Sequence, residues 1–172
     1  PAIKAIGFTG SYRGGKAIFD LAAKRAEPIP VYAEMGSVNP VFILPGAMKE
    51  KGMAIAEGFS NSVNLGVGQF CTNPGMMVVE KSAQARAFLD HLRSIFTAAE
   101  GGALLTPAIQ SAYVLEISET KALSGVNVLA EGKQSECFTG VKPALFNVDA
   151  ETFFKHSSLS TEIFGPTSIV IE

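Results

Sequence analysis

An excess of charge of either sign is lacking in this sequence. Its 172 residues carry 14 Lys and Arg against 16 Asp and Glu, a formal net charge of −2, with the cations scattered along the chain. Such a chain lacks the basic face that neutralising a nucleic acid or an anionic membrane requires, so neither is expected as a partner. No stretch approaches the roughly 18 consecutive apolar residues of a membrane-crossing helix. The opening Pro1-Ala2-Ile3-Lys4 has neither the basic nor the apolar region of a signal peptide, which points to a cytoplasmic protein. Cysteine is rarer still: Cys71 and Cys137 are too few for a disulfide framework in a chain of this size, so each is weighed as a thiol. His91 and His156 stand at no metal-ligand spacing, and no metal site is expected. No internal repeat, charge block or low-complexity linker is present, so composition sets no domain boundary. The sequence also lacks an initiator Met and stops on an apolar run, Thr167-Ser168-Ile169-Val170-Ile171-Glu172, which reads as an unfinished strand. The expectation is a piece of something longer.

What is present is a globular composition, 47% hydrophobic and 17% charged, enough for a sizeable core. Short β-rich runs alternate with longer segments of helical period, the pattern of an α/β protein with a largely parallel sheet covered on both faces. Strands are predicted over residues 5–9, 29–35, 41–44, 76–80, 126–130, 144–148 and 167–171, each bounded by Gly, Pro, Asn or Ser. Residues 82–99 place Phe88, Leu89, Leu92, Ile95, Phe96 and Ala99 on one helical face, with Ser82 as N-cap. Thr106-Pro107 reads as the N-cap and first residue of a helix running to about Glu119. Met53, Ala56, Phe59 and Val63 mark another helix, which a left-handed Gly66 would end.

Four stretches could carry chemistry, and each has a bland alternative. In Gly66-Val67-Gly68-Gln69-Phe70-Cys71-Thr72-Asn73-Pro74-Gly75 a thiol lies in a Gly-rich turn between a helix and a strand. Main-chain N–H groups there could favour a thiolate and hold an oxyanion, but a free Cys is also a common small core residue. Tyr32-Ala33-Glu34-Met35-Gly36-Ser37-Val38-Asn39-Pro40 ends an apolar strand on an acid. In apolar surroundings that carboxyl would be shifted toward the range of a general base, whereas in an ordinary turn it would accept backbone hydrogen bonds. Gly7-Phe8-Thr9-Gly10-Ser11-Tyr12-Arg13-Gly14-Gly15 turns from a strand into a helix, which suits either a phosphate at the helix N-terminus or a tight connection alone; its spacing departs from G-x-G-x-x-G. Glu162 and Phe164, two apart before the last strand, could meet a ribose hydroxyl and a ring, or form a turn with a core Phe.

Together, and in this order, the four stretches resemble the aldehyde dehydrogenase superfamily over essentially the whole chain. Gly68-Gln69-Phe70-Cys71-Thr72 matches its cysteine box. Glu34-Met35-Gly36-Ser37-Val38-Asn39-Pro40 matches its glutamate box, with Ser37 and Val38 in place of Gly and Lys. Phe8-Thr9-Gly10-Ser11 matches its Phe-Thr-Gly-Ser turn, and Glu162-Ile163-Phe164-Gly165-Pro166 its Glu-Ile-Phe-Gly-Pro segment. Within the superfamily the chain looks most like the branch of α-ketoglutarate semialdehyde (2,5-dioxovalerate) dehydrogenases, which also holds an NADP-dependent fatty aldehyde dehydrogenase.

The resemblance implies a three-layer αβα fold, with residues 1–33 ending a cofactor-binding domain and residues 34–172 forming a truncated catalytic domain. It implies oxidation of an aldehyde to a carboxylate with NAD or NADP, through a thiohemiacetal and a thioester on Cys71 that Glu34 helps hydrolyse. Glu162 and Phe164 would contact the cofactor ribose and nicotinamide, and Ser11 with Gly10 and Gly36 would lie on the cofactor side. The oxyanion-hole Asn would precede Pro1, the parent enzyme would be a homo-oligomer, and the isolated 172 residues would be inactive or nearly so. Cys137 matches no motif and is expected to be structural or exposed. The competing readings are a Cys71–His156 thiol hydrolase, which requires the imidazole within hydrogen-bond reach of the sulfur, and a folded subdomain without catalysis.

Overall fold

The computed structural model describes residues 2–172. The chain divides into two compact units, Pro1–Ser37 and Val38–Glu172. In the first, strand β1 (Ile6–Gly10) leads into helix α1 (Tyr12–Ala23), and β2 (Val31–Met35) returns parallel to β1, with Thr9 opposite Glu34 and Gly10 opposite Met35. Ser11 starts the helix as its N-cap: its backbone is extended and its Oγ accepts from the Gly14 N–H at 3.2 Å. Gly15, one turn in, is buried, and a Cβ there would lie 2.3 Å from the Met35 sulfur, so α1 and β2 pack closely at that position.

The second unit runs β3 (Pro40–Ile43), α2 (Pro45–Asn64), a 3-10 turn (Leu65–Gly68), β4 (Met76–Val79), α3 (Ala83–Ala98), β5 (Gly102–Ala103), α4 (Pro107–Ala122), β6 (Asn127–Glu131), β7 (Gly140–Val141), β8 (Ala144–Val148), α5 (Ala150–Lys155), a second 3-10 turn (Ser157–Ser160) and β9 (Thr167–Ile171). Its main sheet has the order β3-β4-β9-β8-β6, the first four strands parallel and β6 antiparallel. Side-chain alternation sends Met77, Val79, Leu145 and Val170 to one face, where Phe59 and Val63 of α2 and Phe88, Leu92 and Phe96 of α3 cover them. It sends Met76, Phe146, Val148, Ile169 and Ile171 to the other, under Tyr113 and Ile117 of α4. A sheet buried on both faces needs apolar residues at successive positions, which is why its strands read as unbroken apolar runs. The architecture is the expected three-layer αβα.

Ser82 and Thr106 cap α3 and α4 as their sequence contexts require, accepting from the Ala85 and Ile109 N–H groups at 3.0 and 3.2 Å. Helix α2 differs from expectation. It starts at Pro45, and a break at Lys51 (φ −137°, ψ 16°) joins two helical pieces. Met48 of the first piece is buried in the same core as Ala56, Phe59 and Val63, whereas Met53, expected on that face, is 57% exposed. The two-residue strands β5 and β7 and the six-residue α5 are too short to show a period in sequence. Among the described residues no helix is long and apolar enough to cross a membrane.

Candidate active site

Because β3, β4 and β9 run parallel, the segments that enter them arrive at one edge of the sheet, the amino edge. Asn39, the Cys71 loop and the Glu162-to-Pro166 segment therefore share that edge. The loop leaves α2 through consecutive left-handed residues, Gly66 (φ +56°), Val67 (φ +59°) and Gly68 (φ +68°). A β-branched Val at positive φ is strained and persists only where its surroundings over-determine it. The glycine at 68 is required twice over, by its φ and because a Cβ would sit 2.1 Å from the Gly165 carbonyl oxygen. This close approach joins the cysteine box to the Glu162–Phe164 segment.

Two carboxamides brace the loop around the thiol. Before it, Gln69 accepts from the Leu105 N–H at 2.8 Å through Oε1 and donates through Nε2 to the Gly66 and Ala103 carbonyls at 3.2 and 3.4 Å. After it, Asn39 Nδ2 donates to the carbonyls of Cys71 and Asn73 at 2.8 and 2.9 Å. The Gly75 N–H donates to Val38 O at 2.8 Å, which carries the pairing of β3 and β4 up to the loop. Asn73 Nδ2 in turn donates to Gly165 O at 3.2 Å. Cys71 is exposed, so its thiol is not filling a core.

Behind the last segment, Tyr113 of α4 donates its hydroxyl to Lys142 O at 2.8 Å and approaches Pro166 O at 3.4 Å. Burial, reinforced by Glu131, pushes this phenol well above its ordinary pKa, so it stays a neutral donor. Its ring leaves no room for a side chain at Gly165, where a Cβ would lie 2.4 Å from it. Glu162 is half-buried, and Phe164 is 36% exposed and is not a core Phe. Burial first, then Glu119 and Glu162, raises the pKa of the Glu116 carboxyl on α4, so Glu162 lies within the field of a second acid.

In the first unit, the carboxyl ends of β1 and β2 bring Gly10, Ser11, Glu34 and Gly36 to one edge. Gly36 is left-handed (φ +44°), a conformation that suits Gly. Glu34 and Tyr32 point to the same face of β2 and both are exposed, which corrects the expectation of an apolar, desolvating setting for that carboxylate. The chemistry at the start of α1 fits an anionic group: its first turn contains no acidic residue, and Ser11, Tyr12 and Arg13 are exposed.

The remaining candidates fall outside these edges. Cys137 is exposed, with its N–H donating to Ser135 Oγ at 3.3 Å. His91 is half-buried, its Nε2 3.9 Å from a Glu57 carboxylate oxygen. His156 caps α5 and its Nε2 lies 3.1 Å from Ser124 O. Ser124 precedes β6, which starts opposite Asn147 near the carboxyl end of β8, whereas Cys71 is at the amino edge. The sheet therefore separates the thiol from His156, and the thiol-hydrolase pairing is ruled out. Sequence reading passed over Asn39, Gln69 and Tyr113 as site residues. The first two lie inside the boxes quoted above, and an Asn at the turn into a strand is the one signal for a left-handed residue, here φ +48°.

An exposed, braced thiol at the amino edge of a parallel αβα sheet defines the class, and the family model for the aldehyde dehydrogenase family matches residues 1–172: the chain belongs to that family. More particularly, it is 40% identical to "Alpha-ketoglutaric semialdehyde dehydrogenase 2" of Azospirillum brasilense, over 99% of this chain and 33% of that protein. It is 38% identical to the "Alpha-ketoglutaric semialdehyde dehydrogenase" of Acinetobacter baylyi, over 99% and 33%. The chain thus spans about a third of the length of these relatives. A solved aldehyde dehydrogenase variant from Bacillus cereus superposes with a TM-score of 0.80 at 25% identity, covering 98% of this chain and 35% of that one. A putative aldehyde dehydrogenase from Burkholderia cenocepacia, at 22% identity and TM-score 0.79, covering 98% and 36%, shows the same fold.

Proposed function

We propose that this chain supplies the nucleophile and the general base for NAD(P)-dependent oxidation of an aldehyde to its carboxylate, with α-ketoglutarate semialdehyde as the substrate. The observation that carries the reading is Cys71, an exposed thiol on a loop held by hydrogen bonds on both sides. The names of the relatives at 40% and 38% identity support the choice of aldehyde.

The Cys71 thiolate adds to the aldehyde carbon, and the Cys71 main-chain N–H donates to the oxyanion that forms. A nicotinamide cofactor, held on the side of Ser11, Glu162 and Phe164, would supply the hydride acceptor for that carbon. The acyl group is left on the Cys71 sulfur as a thioester. The Glu34 carboxylate takes a proton from water as the water attacks the thioester carbon, and the carboxylic acid departs as the thiolate is restored. Its exposure leaves it reachable by water. Glu162 would accept from a ribose hydroxyl, Phe164 would pack beside the nicotinamide, and Ser11, Gly10 and Gly36 would line the cofactor side. On this reading residues 1–33 close the cofactor-binding domain and residues 34–172 are catalytic.

The test is steady-state oxidation of α-ketoglutarate semialdehyde and of long-chain aldehydes, with NAD and with NADP, by the intact protein and two variants. Cys71→Ala should lower kcat by at least about three orders of magnitude, the scale seen on removing a covalent nucleophile, and Cys137→Ala should leave it unchanged. Retained activity in Cys71→Ala would refute the assignment, and a preference for long-chain aldehydes would refute the substrate.

A further inference from the structure

We propose that Asn39 and Gln69 are positioning residues whose carboxamides fix the Cys71 loop in its reactive shape, a role that rests on the reading of Cys71 as the nucleophile. The two clamps are independent in origin. Asn39 comes from the turn into β3 and takes hold of the chain after the thiol, at the Cys71 and Asn73 carbonyls. Gln69 is anchored to the strand and loop after α3, at Ala103 and Leu105, and takes hold of the chain before the thiol. Phe70 lies between Gln69 and the clamped Cys71 carbonyl, and the Asn73 N–H closes this stretch by donating to Phe70 O at 3.0 Å.

The chemistry of the two side chains suits this task. A single Asn NH₂ carries two protons and can satisfy two carbonyls at once; a hydroxyl can donate only one. Gln uses both ends of its amide, accepting from one N–H while donating to carbonyls. Asn39 is also left-handed, at φ +48°, which costs free energy that a turn serving only as a connection could avoid by using Gly. Its carboxamide explains why the position is not Gly. Neither residue would touch the aldehyde. Each acts through the backbone of Cys71, where a displacement of about 1 Å can cost on the order of 100-fold in rate.

Asn39→Gly separates this role from mere turn formation, since Gly accepts the same φ and removes only the amide. Asn39→Asp keeps the shape and sets a carboxylate against two carbonyls, and Gln69→Glu keeps the acceptor for the Leu105 N–H while losing the donors. Two measurements are made on the intact protein and on each variant: kcat and KM for aldehyde and cofactor, and the rate of iodoacetamide alkylation of Cys71 relative to Cys137 in the same molecule. Alkylation proceeds through the thiolate, which the ordered main-chain amides favour. The expected result is a fall in kcat of at least about tenfold in Asn39→Gly and more in Asn39→Asp, a smaller fall in Gln69→Glu, and cofactor KM within about twofold of wild type. The Cys71-to-Cys137 alkylation ratio should fall at least about fivefold in Asn39→Gly. An unchanged ratio overturns the proposal, whether kcat holds or falls together with the melting temperature. If the wild-type protein oxidises no aldehyde, the function reading fails, while the alkylation ratio still decides the clamps.

Discussion

Gly68 shows how tightly the site is set at the scale of single residues. It is left-handed, and the atom nearest to where a Cβ would stand is the backbone oxygen of Gly165, itself held in place by Asn73 and by the ring of Tyr113 behind it. A flexible side chain could swing away from a new methyl group; a buried backbone oxygen cannot. Gly68→Ala is therefore expected to destabilise the protein by about 1–3 kcal/mol, from overpacking and φ strain together. Urea unfolding measures this, and a midpoint equal to wild type would mean that the two segments are not locked. The same residue shows what could be read in advance. The Gly68-to-Thr72 box and Glu162 are visible in the sequence because the proposed chemistry needs those residue types at those places. The partners of Gln69 are not, because Ala103 and Leu105 contribute only backbone groups, and any residue has those.

At the scale of elements, α4 is tied to the sheet by charge as well as by packing. Lys121 at its last turn reaches Glu131 at the end of β6 at 2.6 Å, and Lys142, just before β8, reaches the other carboxylate oxygen at 3.0 Å. Burial alone would raise the Glu131 carboxyl, but the two ammonium groups outweigh it and hold its pKa below the ordinary value. A carboxyl with a depressed folded-state pKa contributes stability that is fully present above its unfolded value, about 4.3 for Glu, and is lost as pH falls through the lower folded value. Glu131→Gln should accordingly lower the melting temperature at pH 7 and flatten its decline between about pH 5 and 3. A variant whose melting temperature tracks wild type across that range would show that the ion pairs contribute nothing. The main strands and the capped helices α3 and α4 were legible from period and caps. The start of α2 was not, since it has no side-chain cap and Met48 alone is buried in its first piece. Strands β5 and β7, each two residues long, exist only through pairing with one another and carry no local pattern.

At the scale of the whole molecule, the sequence pattern places the strands, and their parallel pairing gathers the candidate residues. Once β3, β4 and β9 lie parallel, three segments far apart in sequence meet at one edge, and once β1 and β2 do, Ser11 and Glu34 share another. Neither consequence can be seen in any one motif. The exposure of Glu34 was equally hidden, because it depends on which face of β2 the helix α1 covers. The chain spans a third of its curated relatives, and the activity proposed here is that of the protein that contains it. Its central claim is that Cys71 carries the acyl group and Glu34 releases it. The most direct measurement is peptide mass spectrometry of the intact Glu34→Gln variant, quenched in acid during turnover with α-ketoglutarate semialdehyde and NAD(P). The account predicts that an acyl adduct accumulates on Cys71 and not on Cys137, and that wild type shows much less of it. An unmodified Cys71 in the variant, or the adduct on Cys137, would contradict the account.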